Sequence, residues 1–193
     1  MYLVFTKAIT QCDINGWNPC HHAIDSCTFS ERAYLAAQGL VAKMPMHSIN
    51  ALTTGERPES SSCLHLCCAG SDKSFAMGQL AKLLIYYKAD VAARTKNGNT
   101  PVLLAAGSGC TDVVKILLTA RADINDRNTV SKKGLIASAC NSSGSMKWFL
   151  RNAGAPEPTP QELQAAVSGK ARGAVPNVAR LSRYARNIRQ SRK

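Results

Sequence analysis

Residues 95–127 read Thr-Lys-Asn-Gly-Asn-Thr-Pro-Val-Leu-Leu-Ala-Ala-Gly-Ser-Gly-Cys-Thr-Asp-Val-Val-Lys-Ile-Leu-Leu-Thr-Ala-Arg-Ala-Asp-Ile-Asn-Asp-Arg, a turn followed by two short amphipathic helices. The hydroxyl of Thr100 can cap the first helix, and Pro101 suits the first helical position, where the backbone N–H has no helical partner. Gly107 and Gly109 permit the chain reversal between the helices. Neither helix can bury its apolar face alone, so the pair needs neighbours of the same kind on both sides.

A fixed interval along the chain supplies those neighbours. Alanine recurs at positions 89, 122 and 155, so the period is 33 residues. Within the quoted stretch the motif is Gly98-x-Thr100-Pro101-x-Leu103-x-Ala105-Ala106, followed by Val113-Val114-x-x-Leu117-Leu118. This motif closely resembles the consensus of the ankyrin-repeat family, with Leu103 where a histidine is usual. The resemblance implies an all-α ankyrin-repeat solenoid of stacked helix-turn-helix pairs. It also implies a non-catalytic module that binds macromolecules through its turn tips and the inner face of its first helices.

The first repeat matches this pattern with local changes. Residues 16–23 have Asn18 at the capping position, and the second helix of that repeat is predicted from about Ser30 to Leu40. Residues 44–62 then contain two prolines, one glycine and many small polar residues. That composition indicates an insertion in a long connecting loop.

The second repeat restarts the pattern at Cys63. His65 stands at the family's usual histidine, for which the resemblance implies a structural role at the turn. Cys67 and Cys68 occupy the positions of the alanines in the next repeat. Five surplus residues fall in residues 71–78, which predicts a longer turn between its two helices.

A degenerate fourth repeat is predicted after the quoted stretch. In residues 128–155 the apolar positions are kept, whereas Gly134 replaces the proline, as is expected near the end of a stack. The predicted divisions are an N-terminal cap or truncated half-repeat at 1–15, ankyrin repeats at 16–155 (approximately 16–56, 57–94, 95–127 and 128–155), and a capping helix with a basic C-terminal arm at 156–193.

The C-terminal segment has two signals of its own. Thr159, Pro160 and Glu162 form a capping-box start for a short helix that should end at residues 168–169. From residue 177 the pattern favours a second helix, so the solenoid is predicted to carry a helical basic extension. This helix combines an apolar stripe with arginine at every third position: Val178, Leu181, Ala185 and Ile188, with Arg180, Arg183, Arg186, Arg189 and Arg192.

Charge and cysteine content restrict the partners and the compartment. The 193 residues carry a net charge of +12, and residues 156–193 hold half of that excess. This asymmetry predicts an acidic partner for the arm. The eight cysteines have no paired spacing, and we expect the N-terminal apolar run to be too short for a secretory signal, so the sequence predicts free thiols in a reducing compartment. We expect an intracellular, soluble protein that is monomeric by itself, in the cytoplasm or nucleus, with an organelle interior left open.

Metal binding and catalysis have little support. Cys63, His65 and Cys67 lie close together, as do the residues of 20–22, but the repeat pattern already accounts for them as buried or turn residues. No phosphate-binding glycine loop, paired carboxylates or nucleophile elbow is present. We therefore expect no catalytic residue, no metal and no cofactor.

The resemblance also indicates where a partner would bind. Residues of the tips and the inner face of the first helices map to Trp17, Asp25, Ser26, Glu59, Ser61, Lys96, Asn97, Asn99, Ser108, Arg127, Lys132 and Asn141. An exposed Trp17 would suit a binding hot spot, and its alternative is packing against the N-terminal cap. In the arm the predicted contacts are Arg180, Leu181, Arg183, Tyr184, Arg186, Ile188 and Arg189.

Three roles are open for the arm: a solvated basic appendage, docking to an acidic protein surface, and binding of RNA or DNA phosphates. Guanidinium groups suit carboxylates or phosphates, and the apolar stripe suits a groove on a partner, which favours docking. We therefore expect a protein-binding adaptor or a peripheral subunit of a larger assembly. The alternative is an RNA-associated factor whose arm binds phosphates while the repeats recruit a protein.

Overall fold

The computed structural model of the protein describes residues 11–27, 31–54, 60–69, 75–139 and 144–162. Regular structure in these ranges is helical, without a β-strand. The helices are α1 (Pro19–Ser26), α2 (Glu31–Val41), α3 (Met46–Ile49), α4 (Cys63–Ala69), α5 (Phe75–Tyr86), α6 (Pro101–Ser108), α7 (Thr111–Thr119), α8 (Leu135–Ser138) and α9 (Gly144–Asn152). Residues 160–162 are also helical.

The helices pair and stack in two layers. α1 packs on α2, α4 on α5, α6 on α7, and α8 on α9. The first helices α1, α4, α6 and α8 contact one another in order, and the second helices α2, α5 and α7 do the same. The ammonium of Lys115 in α7 lies 5.7 Å from the ring centroid of Phe149 in α9, so α9 lies beside this second layer. The predicted all-α solenoid of stacked helix pairs is confirmed.

The core follows the 33-residue period. Leu84, Leu117 and Leu150 occupy equivalent positions in successive second helices, and all three are fully buried. In the first helices, Cys67 and Ala105 occupy equivalent buried positions. Both side chains are small, so neighbouring first helices can approach closely. The predicted alanine-like role of Cys67 is therefore confirmed. Each helix pair buries its apolar face mainly against the next pair, which is why a single repeat would be unstable.

The tip turns use left-handed backbone at one equivalent position in every repeat. Two residues before each first helix's N-cap, φ is +72° at Gly16, +49° at Ser60, +74° at Gly98 and +58° at Lys132. At Gly98 an added Cβ would lie 1.9 Å from Thr129 Oγ1 and 2.8 Å from Thr129 N, so only glycine fits there.

The structure corrects two of the predicted helix starts. The expected hydroxyl cap by Thr100 is wrong, since its side chain makes no cap hydrogen bond and donates instead to Asp126 Oδ2 at 2.6 Å. To cap the helix, Thr100 Oγ1 would have to accept a backbone N–H of the first turn, and the side-chain rotamer that donates to this carboxylate, 26 residues away, does not place it there. Gly134 does not replace the proline either. It is the N-cap of α8, and Leu135 takes the first helical position that Pro101 holds in α6.

Two loop predictions also change. The turn expected over residues 71–78 is wrong for its last four residues, because α5 begins at Phe75; residues 71–74 lie outside the described ranges. Gly78 therefore lies inside a helix, where an added Cβ would lie 3.7 Å from Ile116 Cδ1 of α7. Gly107 lies within α6, and Gly109, with φ +79°, makes the reversal.

The predicted insertion after the first repeat contains helix α3. Asn50, which ends α3, accepts a hydrogen bond from Asp90 N at 2.8 Å and donates to Lys88 O at 3.1 Å. Asn18 Nδ2 donates to Ser48 O at 2.7 Å. The insertion is thus bonded to both the first and the second repeat.

The capping box after the fourth repeat is confirmed. Thr159 N donates to Glu162 Oε2 at 2.7 Å, and Glu162 N donates to Thr159 Oγ1 at 3.3 Å. The expected end of this helix at residues 168–169, the arm, and the N-terminal cap up to residue 10 lie outside the described residues. The repeat boundaries remain predictions.

Candidate partner-binding surface

The first hairpin tip is a rigid turn. Asp13 Oδ1 accepts hydrogen bonds from Asn15 N at 2.8 Å and Trp17 N at 2.9 Å, and Asp13 N donates to Trp17 O at 2.9 Å. These bonds occupy the backbone polar groups of the turn. They hold Ile14 at its apex, where 97% of the residue is exposed.

The fourth tip has the same construction around Asn128. Asn128 Oδ1 accepts from Val130 N at 2.8 Å and from Ser131 N at 2.6 Å. Its amide nitrogen donates to Asn97 O at 2.8 Å and to Asn99 Oδ1 at 2.5 Å, which joins the third and fourth tips. Val130 is consequently displayed at the apex, 68% exposed.

Three of the predicted tip residues are exposed. Lys96, Asn97 and Lys132 are exposed on the third and fourth tips. Trp17 is half-buried, with its ring 4.9 Å from the ring of His22 and 6.1 Å from that of His21. Trp17 therefore packs on the first helix and exposes only part of its ring.

The predicted residues of the first helices are divided between surface and interior. Ser26 is exposed and donates to His22 O at 2.9 Å, while Asp25 beside it is half-buried. Ser108 is also half-buried, and its hydroxyl lies 3.0 Å from both Cys68 O and Leu104 O. Ser108 therefore links α6 to α4.

Two predicted residues serve the fold of the turns. Ser61 is buried, and its N–H donates to Thr53 Oγ1 at 3.0 Å. Asn99 is half-buried and engaged by Asn128, as described above. Glu59, Asn141 and the arm residues lie outside the described ranges.

Arg127, predicted as a tip contact, is part of an internal ion pair. Its Nη1 donates to Glu162 Oε1 at 2.6 Å, and the same carboxylate oxygen accepts from Gly134 N at 2.9 Å. Glu162 is only 6% exposed. Burial acts to raise the pKa of Glu162, but hydrogen bonds from Thr159 and Gly134 and the charge of Arg127 together lower it. The carboxylate is therefore charged and satisfied inside the protein.

His65 fixes the turn before the third repeat. Ser62 N donates to its Nδ1 at 3.1 Å, so the proton is on Nε2, which lies 3.1 Å from Ala93 O and 3.3 Å from Asn99 O. Burial lowers the pKa of His65 to about 4, and the ring is neutral at pH 7. The expected structural role is confirmed by these contacts.

His21 is the equivalent residue of the first repeat. Asn18 N donates to its Nδ1 at 3.2 Å, and burial lowers the pKa of His21 to about 4. Its Nε2 has no hydrogen-bond partner in the described structure, although the carbonyls of Ser61 and Ala51 act to raise that pKa. Burial outweighs these carbonyls, so the ring of His21 is neutral at pH 7.

Six of the seven thiols in the described ranges are buried, and Cys12 is exposed. Burial raises the pKa values of Cys67 and Cys68, and it raises that of Cys27 to about 11. A hydrogen bond with Cys20 raises the pKa of Cys63, with burial adding to it. Protonated thiols are poor nucleophiles and metal ligands. None of the seven cysteines in the described ranges forms a disulfide, and no group of three or more His, Cys, Asp or Glu there could hold a metal ion.

Ile14 and Val130 were not among the predicted contacts. Each lies four residues before the N-cap of a first helix, Asn18 and Gly134 respectively, and so each occupies the apex of its tip. The repeat pattern could have identified both apices, because each lies at a fixed distance before an N-cap. In the fourth repeat the N-cap, Gly134, lies one residue later than the pattern predicted, so Val130 was not recognised. Among the helices that the structure describes, none has the length and apolar character to cross a membrane.

Comparison with known families agrees with this architecture. The family model for ankyrin repeats, in three copies, matches residues 32–128, which is half of the chain. The match runs from α2 to the turn before α8. Helix α1 on one side and the α8–α9 pair on the other extend the same two-layer stack beyond it. Ankyrin-repeat domains are protein-interaction modules and are typically non-catalytic. The chain belongs to the ankyrin-repeat family.

Proposed function

We propose that the protein is an adaptor, or a peripheral subunit of a larger assembly, that holds a protein partner on its hairpin tips. The observation that carries this proposal is the exposed apolar apex of a rigid turn. Ile14 is 97% exposed, and the side chain and backbone of Asp13 bond the turn beneath it.

Both apices contribute in the same way. Burying an exposed isoleucine or valine side chain contributes about 1.5–3 kcal/mol, and Ile14 and Val130 offer that area without first having to be ordered. Lys96, Asn97 and Lys132 lie exposed on the third and fourth tips and supply polar contacts to the same partner. A partner that spans these tips would meet apolar and polar groups together, as in most protein interfaces.

The arm anchors the protein to an acidic protein surface. Residues 170–193 contain eight Lys and Arg and no Asp or Glu. Mutual repulsion opposes a free helix of this composition, and isolated helices of such length are marginal in water. A partner that neutralises the arginines removes this repulsion, and by covering the apolar stripe it also adds buried apolar area. Folding of the arm is therefore coupled to binding.

A photo-crosslinking amino acid placed at position 14 or 130 of the full chain tests the tip surface. We expect both positions to form an adduct with the same protein in native extracts. Position 35 is the matched control, because Leu35 is exposed on α2, in the layer of second helices. Equal adducts from position 35, or none from 14 and 130, would refute the proposed surface.

A further inference from the structure

Charge is segregated between the two helix layers. The second helices and the turns that end them, residues 31–44, 75–88, 111–121 and 144–152, contain eight Lys and Arg and two Asp and Glu, a net charge of +6. The remaining described residues contain five Lys and Arg and seven Asp and Glu, a net charge of −2. The outer face of the solenoid is therefore cationic, whereas the layer with the tips is not.

Two of these cations occupy backbone positions that favour glycine. Lys88 and Arg121 follow α5 and α7 at equivalent positions, with φ of +66° and +67°. In the fourth repeat the equivalent residue is Gly154, with φ +89°. A side chain in this region carries a steric cost that glycine avoids. Lys88 and Arg121 form no ion pair among the described residues. The negative ends of the α5 and α7 dipoles attract cations, which explains part of the preference for Lys and Arg here. A cation at a neighbouring position with ordinary backbone would be attracted as well, so the dipole does not explain why these cations occupy the left-handed position.

A groove on this face lies between α2 and α5. It has a volume of about 340 Å³ and is lined by Tyr34, Gln38, Gln79, Lys82, Leu83 and Tyr86. The groove combines aromatic rings, two side-chain amides and one ammonium. Tyr86 is 75% exposed, and its ring is perpendicular to that of Tyr87 at a centroid distance of 5.2 Å, so Tyr87 covers at most one face of the Tyr86 ring.

The same face continues across the next repeats. Lys82, Lys115 and Trp148 occupy equivalent positions in α5, α7 and α9, 33 residues apart. All three side chains are exposed. Helices packed side by side are about 8–10 Å apart, so cations and rings recur along the stack at that interval.

We propose that this outer face binds single-stranded RNA, with one base in the α2–α5 groove and phosphates along Lys82, Lys88 and Arg121. A base stacks on an aromatic ring whatever its sequence. The amides of Gln38 and Gln79 can bond a base edge or a ribose 2′-hydroxyl, which DNA lacks. The guanidinium of Arg121 suits a phosphate. This surface is separate from the hairpin tips, so the two proposals can fail independently.

An acidic protein fits this face less well. It would satisfy the cations, but it does not require exposed rings beside them. Single-stranded RNA uses both features, because it combines planar bases with regularly spaced phosphates. The aromatic and amide lining of the groove is thus what favours RNA.

The full chain carrying both Lys88→Gly and Arg121→Gly provides the first test. Since glycine suits both backbone positions, this variant should be at least as stable as the parent in urea. Binding of a labelled single-stranded RNA, measured by fluorescence anisotropy, should weaken. The slope of log affinity against log salt should become shallower by about 1.4, or about 0.7 for each lost phosphate contact.

Two more variants separate the outer face from general charge. Lys133→Gln removes one charge from the other layer and should leave the salt slope within error of the parent. Tyr86→Ala should weaken binding about 5- to 150-fold at every salt concentration, because it removes a stacking face and no charge. An unchanged affinity for both Tyr86→Ala and the double glycine variant would overturn the proposal.

Crosslinking locates the RNA on the chain. Ultraviolet crosslinking to 4-thiouridine RNA should modify the tryptic peptide of residues 83–88, which contains Tyr86. Adducts confined to residues 171–193 would assign RNA to the arm and overturn the proposal for this face. Equal affinity for DNA of the same sequence would overturn the choice of RNA. If polyglutamate binds the protein and both variants weaken that binding to the same degree, the partner of this face would be an acidic protein and not RNA.

Discussion

Arg127 Nη1 lies 2.6 Å from Glu162 Oε1, and this ion pair joins the residues after the fourth repeat to the turn before α8. The same carboxylate accepts the N–H groups of Gly134 and Thr159. Glu162 therefore performs three tasks at once. It accepts the N–H of Gly134 just before α8, it completes the capping box of the helical turn at 160–162, and it neutralises Arg127.

Replacing Glu162 should cost more than replacing another carboxylate of the same segment. Glu162→Ala removes the counter-ion of Arg127 and leaves the N–H groups of Gly134 and Thr159 without their acceptor, so we expect the free energy of unfolding to fall by about 1.5–3 kcal/mol. Urea unfolding followed by circular dichroism measures this. Glu157→Ala is the control, because its ion pair with Arg151 is exposed and should contribute little. Equal losses for the two variants would mean that the Glu162 contacts are not formed in solution.

Stability should fall with acid between pH 6.5 and pH 4 because of the two buried histidines. Burial lowers the pKa values of His21 and His65 from 6.5 to about 4. In this window the unfolded chain binds protons that the folded chain does not, so stability rises with pH up to about 6.5. Each histidine should contribute roughly 2 kcal/mol to the difference between pH 7 and pH 5.

His65→Leu tests this assignment, since Leu103 occupies the equivalent buried position in the third repeat. The variant should be less stable at pH 7, because it loses the hydrogen bonds to Ser62 and Ala93. Its free energy of unfolding should nevertheless change less between pH 7 and pH 5 than that of the parent. An unaltered pH dependence would show that His65 does not titrate with a lowered pKa.

The core of the stack should be sensitive to a single cavity. Leu117 is fully buried between repeats, so Leu117→Ala should lower the free energy of unfolding by about 2–5 kcal/mol. Neighbouring repeats should unfold with it in one urea transition, because each repeat is stabilised by its neighbours. Leu35→Ala, at an exposed position of α2, serves as the control. An unchanged midpoint for Leu117→Ala would contradict its burial.

Two glycine substitutions should act in opposite directions. Gly98→Ala would place a Cβ against Thr129 at left-handed φ, and we expect a loss of more than about 1 kcal/mol. Gly39 lies in α2 with nothing within 4 Å of an added Cβ, so Gly39→Ala should stabilise by about 0.5–1 kcal/mol. Thermal unfolding of the two variants measures the difference. A stabilising Gly98→Ala would be incompatible with this turn.

Two sets of arm variants separate charge from apolar contact. Glutamine at Arg180, Arg183, Arg186 and Arg189 should lower affinity for the protein partner and flatten its salt dependence. Leu181→Ser with Ile188→Ser should lower affinity at every salt concentration. Titrations at several ionic strengths distinguish these effects. If removing the stripe leaves partner binding unchanged, the arm does not dock as an amphipathic helix.

The 33-residue period determined the architecture from the sequence alone. Repeated Pro, Gly, Ala and Leu positions act locally, through helix starts, turns and apolar stripes, and each repeat contacts mainly its neighbours. For that reason the buried Leu117, the small Cys67 and the structural His65 could be predicted without coordinates. The capping box of Thr159 and Glu162 is equally local, since its partners are three residues apart.

Only the tertiary structure decided how side chains distant in sequence are satisfied. Thr100 could cap its own helix, yet its hydroxyl bonds Asp126, and Arg127 could face a partner, yet it pairs with Glu162. Each side chain bonds the acceptor that the folded repeats bring within about 3 Å of it, and a sequence motif carries no information about that distance. The groove between α2 and α5 arises in the same way, because its two walls are 45 residues apart from Tyr34 to Gln79 and meet only when the repeats stack.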